Sequence, residues 1–327
     1  MKPKTIIFFL LISFLLNACE NQPIPTPEII PSLSATPSPT LESRCSPNAF
    51  SVIGYFPDYR DFNLAWGKVL TDFIYFSAEP ALNGDLDTQR LQADVLQVMQ
   101  EMKAQYGTHL FISIGGYERS AHFGTVVTDA ALREKFVAQV IQFAEENQLD
   151  GIDFDWEFPE TDAEVAGYIE LLNGVQASGL IVSAALAPYD GIDLTPYAVI
   201  DHIHIMSYDH DGQHATYQQS RADVALFLDA GVPKEKLYLG IPFYGRRTSN
   251  FDEEFSYAEI MANYAPPPDV DEVENIYFNG IQSVRDKTRY AYENELGGIM
   301  IWELGQDTQD ETSLLKAIGE SVQQSCP

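Results

Sequence analysis

From about residue 48 onward, short apolar runs alternate with longer amphipathic stretches, and this alternation is the strongest constraint on the fold. The short runs are "SVIGYF" at 51, "DFIYFSA" at 72, "LFISIGG" at 110, "GIDFDWE" at 151, "LIVSAALA" at 180, "HIHIMSYD" at 202, "LYLGIPFYG" at 237 and "GGIMIWEL" at 297. Their length and β-branched or aromatic content predict strands. The intervening 3.6-residue periodicity predicts helices over 88–106, 131–147, 162–177, 221–230 and 281–295, with a last one at 311–322. Strands separated by helices imply right-handed crossovers and a parallel sheet. Eight such units in roughly 280 residues match a closed (β/α)8 TIM barrel, a single α/β domain. The competing architecture is an open doubly wound sheet, but no glycine-rich nucleotide loop follows the first strand.

The first 47 residues have a different character. Lys2 and Lys4 precede an apolar run over 6–16, as in an export signal, and the run is too short to span a membrane. The "LNAC" at 16–19 resembles the lipobox of bacterial lipoprotein precursors, which would make 1–18 a signal peptide and Cys19 the lipid-bearing residue of an exported, envelope-anchored protein. A plain secretory signal is the alternative. Residues 19–47, rich in Pro, Ser and Thr, read as a tether, and 48–327 as the folded domain. Two further cysteines, Cys45 and Cys326, flank that domain; export permits a disulfide between them, and two free thiols remain the other possibility.

Acidic residues outnumber basic ones 48 to 19, for a net charge of -29. Such a surface repels phosphate backbones and anionic lipids, so nucleic acid is not an expected partner, whereas neutral sugars are unaffected.

Within "LDGIDFDWEFP" at 149–159, Asp153, Asp155 and Glu157 fall at alternate positions. A strand turns them to one face and Ile152, Phe154 and Trp156 to the other. Carboxylates packed this closely raise one another's pKa, which is costly unless the chemistry needs it. A calcium or magnesium site is the bland alternative, but one straight strand with aromatic neighbours makes a poor cage, and neither metal nor cofactor is expected. Polar or aromatic residues recur at the carboxyl ends of other strands: Tyr55 and Phe56, Phe76, Ser113, Tyr208 with Asp209, Tyr244 and Trp302. Barrel enzymes place their sites at that end.

"DGIDFDWE" at 150–157 resembles the DGxDxDxE signature of family 18 glycoside hydrolases, the chitinase family. "SIGG" at 113–116, "MSYD" at 206–209, "GIPFYGR" at 240–246 and "GGIMIWEL" at 297–304 are similar to that family's third, sixth, seventh and eighth strands, in the correct order. The resemblance implies retaining hydrolysis of β-1,4-linked N-acetylglucosamine glycans, in which the substrate's own acetamido oxygen is the nucleophile and an oxazolinium ion the intermediate. By it, Glu157 is the general acid and then the base, Asp155 orients the acetamido N–H, and Asp153 shares a proton with Asp155. Tyr208 supports the acetamido group, Asp209 helps to hold the sugar, and Trp302 forms its floor. Tyr55, Phe76, Tyr244 and Met206 are placed as substrate-binding residues, the first three also reading as barrel lining, and Ser113, Gly115 and Gly116 as small residues supporting the acids. Arg246 contacts sugar or pairs with an acid. Many family members insert an α+β module after the seventh strand. The interval between Arg246 and Gly297 is too short for a full one, so a shallow, open, endo-acting groove is expected, in a monomer. An endo-N-acetylglucosaminidase of peptidoglycan or N-glycans, and a non-catalytic chitin-oligosaccharide-binding lectin, are the alternatives; the presence of all three acids favours an enzyme.

Overall fold

The computed structural model describes residues 50–188 and 199–325. Cys19, Cys45 and Cys326, with the leader and tether, lie outside these residues, and so do the lipid attachment and disulfide expected of them.

Eight parallel strands close into a barrel: β1 (Ser51–Pro57), β2 (Asp72–Pro80), β3 (His109–Gly115), β4 (Gly151–Asp155), β5 (Ile181–Leu186), β6 (His202–Ile205), β7 (Leu237–Pro242) and β8 (Gly298–Trp302). Each pairs with the next in sequence, and β8 returns to pair with β1, with Ser51 opposite Gly298. All eight predicted runs become strands, and the barrel expectation holds. The register sets Ser113 of β3, Asp153 of β4 and Ser183 of β5 side by side.

The two faces of each strand build two separate cores, as the period of two requires. Outward residues such as Phe73, Ile112, Phe154, Val182, Leu239 and Ile299 pack under the helices in one large cluster. Each such burial contributes about 1.5–3 kcal/mol. Trp156 joins this outer layer, stacked on Phe123 at 5.1 Å and edge-on to Tyr168 at 5.2 Å. A smaller cluster fills the barrel interior: Ile53, Tyr55, Ile74, Phe76, Phe111, Tyr238 and Met300.

Helix ends differ from the sequence expectation where capping decides them. The first long helix is Ala93–Tyr106, shorter at its start than predicted, because residues 88–91 close a turn, the Leu91 N–H donating to the Thr88 carbonyl, and the Gln92 N–H donates to the Tyr75 hydroxyl oxygen. The helix Tyr217–Asp229 starts earlier than predicted. The side chain of Thr216 accepts from the Gln219 N–H, and Gln219 reaches back to the Thr216 N–H, a reciprocal cap that fixes the start.

The region between β7 and β8 corrects one expectation. It lacks the length of a full module, yet it is not empty. Asn250–Ser256, Tyr244–Arg247, Ile276–Tyr277 and Glu272–Val273 form a small antiparallel sheet in that spatial order, followed along the chain from Ser256 by the helix Tyr257–Tyr264. The cleft therefore has a low wall on this side rather than none. Fifty residues suffice for it because the strands are short and the helix has two turns.

Candidate active site

A cleft of about 860 Å³ opens at the carboxyl ends of the strands. Tyr55, Phe76, Asp155, Glu157, Met206, Tyr208, Asp209, Tyr244 and Trp302 all line it, so the structure brings together the residues that the sequence placed there separately.

Asp153 lies beneath the cleft and is wholly buried. The Tyr55 and Ser113 hydroxyls donate to its Oδ2, each at 2.8 Å, and the Ser183 hydroxyl donates to its Oδ1 at 2.6 Å. His204 Nδ1 stands 3.3 Å from Oδ1 and 2.7 Å from the Tyr55 hydroxyl oxygen. Burial pushes the Asp153 pKa up, but His204, Ser183 and Tyr55 together outweigh it and hold the carboxyl below its usual range. The Tyr55 hydroxyl thus stands between the Asp153 carboxyl and the His204 ring.

Asp155 has the opposite environment. It is 4 % exposed, and its Oδ1 is buried without a hydrogen-bond partner. Burial first, then the charges of Glu157 and Asp153, raise its pKa well above the carboxylate range. Asp153 draws its hydroxyl donors from β1, β3 and β5, with the His204 ring of β6 beside it, and its carboxyl and that of Asp155 are pushed in opposite directions. Leaving a buried oxygen such as Asp155 Oδ1 without a donor costs about 1–3 kcal/mol.

Glu157 sits at the rim, half-buried. Burial and the charge of Asp209 raise its pKa to about 7, opposed by the Tyr117 N–H that donates to its carboxylate. Ser120 anchors the same turn: its hydroxyl oxygen accepts from the Glu157 N–H at 3.2 Å. Asp209, at a left-handed φ of 63°, is held down to about 2. Burial there is overcome by donors, the Tyr244 hydroxyl at 2.7 Å and Arg246 Nε at 2.6 Å among them, and by His214 at 3.6 Å. Arg246 thus pairs with an acid of the site, and with Glu254 of the low wall at 3.2 Å. Burial likewise raises the Tyr208 hydroxyl, with Asp155 and Asp209 adding to the effect. It is a group that donates and stays neutral.

Trp302 lines the cleft, its ring edge-on to Phe76 at 4.8 Å and to Tyr55 at 5.7 Å. Gly115 and Gly116 have φ of 98° and 104°. A Cβ on Gly116 would come within 2.2 Å of the Phe76 ring and on Gly115 within 2.4 Å of the Asp155 carbonyl oxygen. Gly116→Ala should therefore displace Phe76 from beneath Trp302 and force an unfavourable φ, destabilising the fold by about 1–3 kcal/mol. Thermal unfolding measures this, and an unchanged midpoint would contradict the packing described.

Four site residues were not singled out from sequence. His204 shares its face with Met206 and Tyr208 in "HIHIMSYD", and Ser183 points inward from "LIVSAALA"; the period of two could have found both. Arg119, whose guanidinium lies 4.8 Å above the Phe76 ring, and Ser120 come from a loop with no periodic signal.

A family model described as Glycosyl hydrolases family 18 matches residues 51–307. Chitinase A1 of Niallia circulans is 27% identical over 332 aligned residues, covering 76% of this chain and 48% of its own. Probable chitinase 10 of Drosophila melanogaster is 25% identical over 83% of this chain, which spans 16% of that longer protein. Among solved structures, the family 18 chitinase ChiB from the chitin utilization locus of Flavobacterium johnsoniae superposes with a TM-score of 0.73 at 27% identity, over 84% of this chain and 94% of that one.

Proposed function

Because this chain belongs to glycosyl hydrolase family 18, we propose that it hydrolyses β-1,4-linked N-acetylglucosamine glycans, chitin or its oligomers, with retention of anomeric configuration. The observation that carries this reading is a pair of carboxyls with different tasks. Asp155 presents a buried oxygen without a partner, and Glu157 next to it is held up to about 7.

With a sugar seated on Trp302, the acetamido N–H donates to the bare Oδ1 of Asp155, which turns the acetamido carbonyl oxygen toward the anomeric carbon. The Tyr208 hydroxyl steadies that group. Glu157 gives its proton to the glycosidic oxygen as the bond breaks, the acetamido oxygen closes an oxazolinium ring, and the leaving chain departs. The carboxylate left on Glu157 then takes a proton from water, which opens the ring from the face the leaving group vacated. Two displacements at one carbon return the β configuration. Desolvation of the Asp155 pocket strengthens its interaction with the positive charge that develops on the ring.

Exposed aromatic rings line the cleft, Tyr117 at 75 %, Tyr59 at 61 % and Phe251 at 41 % exposure, and Phe158 at 43 % lines a second pocket that shares Glu157. Such rings suit the apolar faces of successive sugars, and a low wall lets a chain enter sideways, which supports cleavage within the chain. The same chemistry would serve an endo-N-acetylglucosaminidase, though a net charge of -29 disfavours an anionic polymer such as peptidoglycan.

Hydrolysis of chitotetraose followed by NMR tests the reading. The new reducing ends should appear first as the β-anomer and mutarotate afterwards. Initial release of the α-anomer would exclude the substrate-assisted route, and binding without cleavage would make the protein a lectin.

A further inference from the structure

One buried cation has no part in the chemistry above. Lys287 lies on the inward face of the helix Ile281–Glu293, in the company of Val284, Thr288 and Ala291, where an apolar residue would be expected, and it is fully buried. Its Nζ donates to the Ala215 carbonyl oxygen at 2.8 Å and to Asn279 Oδ1 at 2.7 Å. Asn279, also buried, donates from Nδ2 to the same Ala215 oxygen at 2.8 Å. Two side chains from beyond β7 thus converge on one backbone oxygen.

That oxygen belongs to the segment leaving β6 that carries Asp209. Ala215 follows His214, whose buried ring packs 5.0 Å from Tyr244 and 3.6 Å from Asp209. The His210 N–H donates to the His214 carbonyl at 3.1 Å, closing the turn. Thr216, next in sequence, caps the following helix. Asp209 itself sits at a positive φ, which few non-glycine residues adopt and which fixes the direction of its side chain. An ammonium in an apolar layer is costly, and Lys287 is pushed down to about 7 by burial, with Asp271 and Asp223 drawing it back up and His214 facing it from the site.

We propose that Lys287 and Asn279 form a buried clamp on the Ala215 carbonyl that positions residues 209–216, and through them the Asp209 carboxylate at the catalytic mouth. Lys287 is a positioning residue: it touches neither substrate nor the reacting atoms. The proposal rests on the functional reading above for its effect on rate, but its effect on Glu157 can be read without substrate.

The experiment compares the full chain with Lys287→Met, the milder Asn279→Ser, and Thr288→Val, an equally buried change on the same helix that removes only a bond to the helix's own Val284 carbonyl. Two quantities are measured: kcat and KM on chitotetraose, and the ionisation midpoint of Glu157 by carboxyl carbon NMR in the free protein. Lys287→Met should lower kcat about tenfold with KM changed less than about threefold. It should also lower the Glu157 midpoint, because Asp209 drifts away and its charge no longer opposes ionisation. Asn279→Ser should do the same to a smaller degree, and it carries the test if Lys287→Met does not fold. Thr288→Val should lose thermal stability and leave both readouts at the parent values. The clamp is overturned if the Glu157 midpoint of Lys287→Met, or of Asn279→Ser in its place, equals that of the parent. If the parent itself does not cleave chitotetraose, the functional reading fails, and the midpoint still decides the clamp.

Discussion

Glu157→Gln should reduce kcat on chitotetraose by roughly 10²–10⁴-fold, the contribution of a positioned general acid, while the oligosaccharide still binds. The amide keeps the shape of the side chain and loses the transferable proton. In the parent, burial and the Asp209 charge hold Glu157 at about 7, so the protonated acid predominates below that pH. Its rate should be sustained on the acidic side of this value and fall as pH rises through it, as the proton is lost. The variant's residual rate should lack this descending limb. Initial rates across the pH range, with isothermal titration calorimetry for binding, measure all of this. A variant that retains a tenth of the parent rate, or a parent limb far from pH 7, would remove Glu157 from the acid's role.

The second large effect belongs to Asp155. Asp155→Ala should lower kcat by about 10²–10³-fold, the range seen when one preorganised polar contact to a developing charge is removed. The alkaline limb should stay near its parent position, since burial and Asp209, rather than Asp155, are what raise Glu157. That combination separates an orienting residue from one that tunes the acid. Should the limb move down with the rate, Asp155 acts through Glu157; should the rate stay within about threefold, the bare Oδ1 is not where the acetamido group docks.

Both predictions concern residues visible in "DGIDFDWE", and the reason they were visible is local. Alternation along one strand fixes which side chains share a face, so Asp153 and Asp155 share one once 151–155 is a strand, while Glu157 just past the strand end sits at the rim in the turn that Ser120 anchors. The order of the eight runs gave the barrel by the same logic, and the strand-end residues Tyr55, Phe76, Tyr208, Tyr244 and Trp302 then converge because a closed parallel sheet brings all its carboxyl ends to one mouth. The low wall after β7 was missed because Ile276–Tyr277 and Glu272–Val273 have only two residues each, and the mostly exposed, acidic Asn250–Ser256 shows no apolar alternation.

What the sequence determined by itself is therefore the fold, the face on which the acids lie and the end of the barrel where they act, since each follows from side-chain direction along single elements. Only the tertiary structure decided how the environments of the three acids differ. The Asp153 carboxyl is held below its usual range by His204, Ser183 and Tyr55, partners that lie 30 to 98 residues away along the chain. Asp155 is given none at Oδ1, and Glu157 is raised by burial and by an Asp209 that Arg246 and Tyr244 keep charged. A pKa is set by the dielectric and the charges within a few ångströms in space, and those neighbours are assembled from separate strands and loops only when the barrel closes.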